Sequence, residues 1–527
     1  MEILAPAGNF ETFFAALEKG ADAVYVGLKK FSARALARNF SLEELGLMVP
    51  YAHQHGKRLF VALNSLIKET EWNELIEIAV ALSDIKPDAL IIQDLGVYWL
   101  FKHRFPHLIL HASTLTGCHN LLGVKKLARM GFERIVLARE LTLKEIEEIR
   151  KATSVELEVF VHGALCFSYS GFCLASSYLG GHSSLRGRCR QPCRFFYQWG
   201  DEKGYYLSCK DLCALQLIPI LKELQIDAIK IEGRMKSAEY VAMTVEAYRI
   251  VRDASPNQVQ GAIEYAKSII ERMENRPLST GFFFSAQPKD VLNPKHPGGF
   301  GVYLGRILRK EDGKIYLHPE AEVKVGDRIR AQDESLGKGI AWKIKFLKKV
   351  GDLVCVNAPT DVKPGYLLFR IVSATPSIKK SDKKLKSQLV QTVKPVPFKV
   401  SSSAKKRLRQ WIHAQCFEFP KKIKKLTWWI YASDINYFLN CKLPKKCVPI
   451  LSLNSQIYHF IIVHFKKLLK RYPNITLGFP PIILPNQIIF FKKAVKQLLD
   501  LGFKHWHLAN IGQFDLFSDT KGLILST

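Results

Sequence analysis

Eight short β-rich runs alternate with helical patterns over the first 233 residues of this chain. The runs cover 2–6, 23–28, 58–65, 89–94, 108–114, 134–140, 156–163 and 228–233. Most are continuously apolar rather than alternating, as expected of parallel strands covered on both faces. Between them, 10–19 follows Asn9 as a helix cap and stops at Gly20. Residues 42–55 follow Ser41, with Glu44 three positions on as a capping box, and 143–151 follow Thr142. Eight such units predict a (β/α)8 barrel over 1–235. An open doubly wound sheet is the alternative. It would need a Gly-rich turn after the first strand, where the chain has Ala5-Pro6-Ala7-Gly8.

The rest of the chain changes character. Residues 236–297 read as a helical connection. Short strands with Gly/Asp turns over 298–375 predict a small β-barrel. A Lys/Ser-rich stretch over 376–425 reads as a basic linker. Residues 426–527 return to α/β, in a domain read as either incomplete or closed by another element.

Charge is distributed unevenly. The 527 residues hold 77 Lys+Arg and 48 Asp+Glu, a net +29. Residues 376–527 hold 27 and 6 of these, a net +21, which leaves +8 for the other 375. Such a field suits a polyanion such as RNA, the alternative being solvated lysines. Two uncharged stretches, 447–465 and 472–491, are interrupted by Pro449 and Asn454, and by Pro473, Pro480, Pro481 and Pro485. No membrane span is therefore expected. The start, MEILAPAGNFE, lacks a basic and an apolar leader region, so a cytoplasmic, reducing setting is expected.

On a β/α barrel, chemistry sits at the carboxyl ends of the strands. Those ends carry Tyr25, Asn64, Gln93, Asp94, His111, Ser113, Arg139, Glu140, His162, Glu232 and Arg234. Arg139 and Arg234 can clamp a carboxylate. His111 and His162 can move a proton, while Glu140 and Glu232 are expected to pair with the arginines. Six of the 11 cysteines fall between Cys166 and Cys213. The spacing Cys166-x6-Cys173-x15-Cys189-x3-Cys193 leans towards an iron–sulfur cluster, with zinc or unligated thiols as alternatives. Cys209 and Cys213 are spare ligands. Arg186, Arg188, Arg190 and Arg194 in the same loop suit an anion. Cys118, Cys355, Cys416, Cys441 and Cys447 are expected to be inert. The aromatic–basic mixtures 421–429 and 490–496 can stack bases, though a core strand or an amphipathic helix is the commoner meaning.

The segment EVFVHGALCFSYSGFCLASS (158–177) closely resembles the signature of the collagenase-like peptidase family of unknown catalytic type. So do LAPAGNFETFFAALEKGADAVYVG (4–27), QDLG (93–96), GGHSSLRGRCRQPCR (180–194), SCKDLC (208–213) and KIEGRMKSAEYV (230–241). The resemblance covers about residues 1–375, and extends weakly to LGFPPIILPNQ (477–487). It implies RNA hydroxylation, either of a large-subunit ribosomal RNA cytidine or of a transfer RNA wobble uridine. A third branch serves ubiquinone hydroxylation. It further implies a 4Fe–4S cluster on Cys166, Cys173, Cys189 and Cys193, prephenate as hydroxyl donor, and an electron donor as partner. The RGRCRQPCR form of the loop is more similar to the ribosomal branch. Leu115 stands where the family usually has Gln. Two other functions remain open. One is a peptidase using Cys166 and His162, without HExxH or GxSxG motifs; the other is a non-catalytic RNA- or ribosome-binding protein.

Overall fold

The structure, a computed structural model, describes residues 1–271, 273, 276–294, 298, 301–333, 339–371, 378–415, 428–440, 443, 447–517 and 524–526. Seven strands, β1 (Glu2–Ala7), β2 (Ala23–Gly27), β3 (Arg58–Leu63), β4 (Ala89–Ile92), β5 (Leu110–Ala112), β6 (Arg134–Val136) and β7 (Glu156–Ala164), pair in sequence order. An eighth, Ala228–Ile231, pairs in parallel with both β7 and β1 and closes the barrel. The expected (β/α)8 barrel is therefore the observed one, and the open sheet is not.

The expected helices begin where their caps place them. Ser41 Oγ accepts from the Glu44 N–H at 3.2 Å, while Glu44 accepts from the Ser41 N–H at 3.0 Å. Thr142 and Glu145 repeat the arrangement. Several strands stop short of their apolar runs. The run at 134–140 ends as a strand at Val136, so Arg139 and Glu140 lie in the loop above it. The backbone peels away there because those polar side chains leave the sheet for the mouth.

The barrel floor departs from the apolar layers usual for this fold. Leu4, Ala23, Tyr25, Phe60, Ala89 and Ile91 pack together inside the barrel. Below them lies a charged lattice. Arg134, 1% exposed, donates to Glu156 at 2.7 Å, Glu2 at 3.1 Å and Glu158 at 3.3 Å. Lys230 donates to Glu158 at 2.7 Å, and Arg58 pairs with Glu2. Buried charges persist only when each has its partner, so Glu2, Arg134, Glu158 and Lys230 act as a unit, with the more exposed Arg58 and Glu156 at its edge.

The long connection between β7 and the eighth strand adds a strand, Asp211–Cys213, antiparallel to the end of β7. Helices Ala238–Asp253 and Val259–Glu271 follow the barrel. The small β-barrel expected over 298–375 is instead two four-stranded antiparallel sheets sharing one core of Leu304, Ile315, Ile329, Val356 and Leu368. Among the described residues no ladder joins them. Short alternating strands suit a sandwich as well as a barrel, so the pattern could not separate the two.

The expected linker is also different. Ile378–Thr392 and Ser402–Gln415 are helices strapped along the barrel. Asp382 pairs with Arg38 at 2.5 Å, Lys405 with Glu77 at 2.7 Å, and Trp411 stacks on Trp99 at 4.5 Å. A few apolar residues, Leu389, Val393 and Leu408, are buried between solvated lysines, which obscured the helical period. Residues 416–425 lie outside the described residues.

Five parallel strands in sequence order form the last sheet: Trp428–Ala432, Cys447–Ser452, Thr476–Gly478, His505–His507 and Ile524–Ser526. This unit docks beside the barrel mouth. Asn120 donates to the Ile483 carbonyl at 2.8 Å, and Asn510 to the Gly117 carbonyl at 3.3 Å. No helix among the described residues is long and apolar enough to cross a membrane.

Candidate functional site at the barrel mouth

The mouth is organised around Glu232, just after the eighth strand. Arg34, in the loop after β2, donates through Nε to Glu232 at 3.1 Å and also through its terminal nitrogen at 3.1 Å. Burial alone would raise the Glu232 carboxyl, but Arg34, Arg234 and Arg139 together outweigh it and hold the group below its ordinary range. Arg234 donates to Ser32 at 2.7 Å, stands over the Tyr25 ring at 5.7 Å, and leaves its buried Nε without a protein partner. A Cβ at Gly27 would come within 2.3 Å of the Arg234 guanidinium, so glycine makes the room for it. Tyr25 donates to the Ile231 carbonyl at 3.0 Å. Arg139 stacks at 5.8 Å over Phe160 and reaches the Ala164 carbonyl at 3.3 Å. Arg34 thus contacts the carboxylate, and Arg234 and Arg139 act on it through their charge. Sequence reading missed Arg34; a second arginine-bearing loop on the mouth side, FSARALARN, was the available signal.

The other residues expected at strand ends fall into distinct settings. Glu140 accepts from the Ser170 N–H at 3.2 Å and hydroxyl at 3.1 Å, rather than from Arg139. Its second oxygen is buried without a partner, and burial raises its carboxyl. His111 lies inside the barrel, edge-on to Phe60 at 5.0 Å. Burial, then the charges of Arg134, Lys230 and Arg58, push it well below the usual histidine range, so it stays neutral. Asn64 donates to Ser113 at 3.4 Å. The Gln93 side-chain oxygen is buried and unpartnered. Asp94 caps the next helix, accepting from the Gly96 and Val97 N–H groups.

His162 requires a correction. Alternation from Glu158 and Phe160 would point it into the mouth. Between Lys230 and Ile231 the register with β7 slips by one residue, a bulge that re-aims the side chain. His162 instead packs between Tyr240 and Tyr248 of the helix following the barrel and meets the Tyr248 hydroxyl at 3.3 Å. Burial lowers it to about 4. With its ring between two tyrosines of that helix, His162 is not turned to the mouth as the alternative Cys166–His162 pair requires.

Cys166, Cys173, Cys189 and Cys193 are all half-buried in the loop beside the mouth. Burial chiefly raises the Cys193 thiol, and Cys166 and Cys189 add to that effect. Cys209, 3% exposed and pushed up by burial to about 11, interacts with both Cys166 and Cys193. Cys213 pairs backbone to backbone with His162 and packs on Tyr248, away from the other thiols. Gly171 makes the turn before Cys173 with φ +84°, and a Cβ there would meet the Leu115 carbonyl oxygen at 2.2 Å. Leu115 thus meets the cysteine loop through its backbone.

Two of the loop arginines expected to bind an anion are structural. Arg186 forks onto Glu71 at 2.9 and 2.5 Å, and Arg194 donates to Ser208 at 2.7 Å and the Leu165 carbonyl at 3.1 Å. Arg188 and Arg190 are exposed. Among the described residues no three His, Cys, Asp or Glu side chains lie close enough to hold one metal ion, so the thiols do not meet at a single-ion centre. A four-iron core makes a different demand, because each thiolate binds its own iron. A donor set of thiols without carboxylates suits such a core.

A closed (β/α)8 barrel with opposed charges and unpartnered buried polar atoms at its carboxyl-end mouth is built as an enzyme. The chain belongs to peptidase family U32, whose model matches residues 8–293. It is 38% identical over 358 residues to an uncharacterized protease of Methanocaldococcus jannaschii, spanning 62% of this chain and 86% of that one. To a tRNA hydroxylation protein P of Helicobacter pylori it is 36% identical over 340 residues, 60% of this chain and 80% of the relative. To a 23S rRNA 5-hydroxycytidine synthase of Escherichia coli it is 35% identical over 325 residues, 59% of this chain. The match spans about half, 49%, of that longer relative.

Proposed function

We propose that this chain hydroxylates a base of RNA, a cytidine of large-subunit ribosomal RNA before a transfer RNA wobble uridine. The observation that carries the reading is the gathering of Arg34, Arg139 and Arg234 around Glu232 beside the cysteine loop. One carboxylate leaves that cluster a net positive charge, which suits a dicarboxylate hydroxyl donor such as prephenate. Relatives named for hydroxylation of both RNA classes support the reaction class. In this reading Cys166, Cys173, Cys189 and Cys193 hold a 4Fe–4S cluster, which supplies electron transfer when bound.

The protein's own groups do the rest. Arg139 and the unpartnered Nε of Arg234 orient the anion. Glu140, with one buried oxygen free of a partner, is the group placed to take or give a proton. Tyr25 and Phe160 wall the site and exclude water. The peptidase reading loses its nucleophile–base pair, since His162 faces the helix. Nucleoside mass spectrometry of ribosomal and transfer RNA, from cells with and without this protein, tests the proposal. Loss of one hydroxylated nucleoside is expected, and identical profiles would refute it.

A further inference from the structure

The last sheet has two unlike faces. Ile430, Ala432, Leu451, Leu477 and Trp506 pack into a core with the domain's helices. The other face presents Trp429 and Tyr431, each 50% exposed. Both rings lie edge-on to His507 across the sheet, at 6.3 and 6.5 Å. Tyr431 is fixed by its hydroxyl, which donates to Ser452 at 2.9 Å. Gly478 lies between, where a Cβ would stand 3.0 Å from the Tyr431 ring. An aromatic floor has therefore been kept clear by a glycine and pinned by a hydrogen bond, although a sheet face normally covers such rings.

Its position is informative. Tyr431, Ser452, Gly478 and His507 all stand near the carboxyl ends of their strands, the end at which parallel sheets bind ligands. From those ends the chain runs on to Ile483 and Asn510, which hold Gly117 and Asn120 beside the barrel mouth. Phe172 of the cysteine loop packs against the same Gly117. The surrounding third of the chain carries 27 basic and 6 acidic residues. Rings that accept a flat partner, in a strongly positive setting, match single-stranded RNA: bases for the rings and phosphates for the lysines.

We propose that Trp429 and Tyr431 form a stacking platform for an unpaired nucleotide of the RNA substrate, holding the strand beside the barrel mouth. This rests on the RNA reading above but names a separate binding surface. The test is fluorescence anisotropy of the full-length protein with a single-stranded RNA oligonucleotide over a range of salt. The Trp429→Ala/Tyr431→Ala double variant should bind about 5- to 150-fold more weakly, as expected for loss of one base stack. Its log–log salt slope should stay that of the wild type, because no phosphate contact is removed. Trp429→Phe, which keeps a ring, should bind within about 3-fold of wild type. A strand of abasic riboses should bind the wild type as weakly as the double variant binds the intact strand.

Unchanged affinity in the double variant overturns the platform, as does a loss shared equally by Trp429→Phe. The assay needs neither cluster nor hydroxyl donor. A protein that binds as described yet alters no nucleoside would refute the hydroxylase reading and leave the platform standing; normal hydroxylation with unchanged affinity in the double variant would do the reverse.

Discussion

Arg34 and Glu232 are 198 residues apart in the chain and meet at 3.1 Å across the barrel mouth. The Arg34 side chain is 40% exposed and that of Glu232 16%, so solvent softens the pair without abolishing it. Glu232→Gln should cost about 1–3 kcal/mol in urea denaturation at pH 7. The folded carboxyl ionises below the ~4.3 of an unfolded glutamate. Its stabilisation is therefore complete above that pH and is lost as pH falls through the folded value. The wild-type advantage should shrink below about pH 4; a constant difference down to pH 3 would contradict the pairing.

Burial of His162 gives a second pH signature of the same sign. Lowering a histidine from about 6.5 to about 4 makes roughly 3 kcal/mol of stability available above pH 6.5, lost progressively down to pH 4. His162→Phe should keep the packing against Tyr240 and Tyr248 and make the acid limb shallower between those pH values. It should not become flat, because His111 is lowered as well. Urea midpoints measured at half-unit steps decide; an unaltered slope would place the titration elsewhere.

For the cysteine loop, protein purified without oxygen should be brown. Cys173→Ala should abolish both iron content and RNA hydroxylation. Cys213→Ala should retain both, since that thiol packs on Tyr248 away from the other cysteines. Retained hydroxylation in an iron-free Cys173→Ala protein would refute the cluster's role. Iron lost with Cys209→Ala but kept with Cys193→Ala would reassign the fourth ligand.

The barrel floor should be the most sensitive region to charge removal. Arg134 has a side chain 2% exposed and serves three carboxylates. Arg134→Met leaves buried Glu2 and Glu158 with one partner each, Arg58 and Lys230, and should cost about 3–5 kcal/mol. A loss under about 1 kcal/mol by chemical denaturation would mean that the carboxylates find compensation.

The barrel was legible in local pattern, because continuous apolar runs between capped helices have few other ways to bury both strand faces. So were the caps at Ser41 and Thr142, the Gly171 turn and the cysteine-bearing loop, since each depends on residues close in the chain. The charged floor was not legible in advance: Glu2, Arg58, Arg134, Glu158 and Lys230 sit apart within apolar strands, and closure of the barrel brings them together. Which charges meet is settled by the closed fold. Arg34 reaches Glu232 through strand pairing that no local pattern encodes. One bulged residue in β7 reverses the parity that would have aimed His162 at the mouth. The lysine-rich stretch became two packed helices because its few apolar residues found the barrel's outer surface. Local propensity fixes elements over a few residues, whereas side-chain direction and long-range pairing depend on register, which is set when the whole sheet closes.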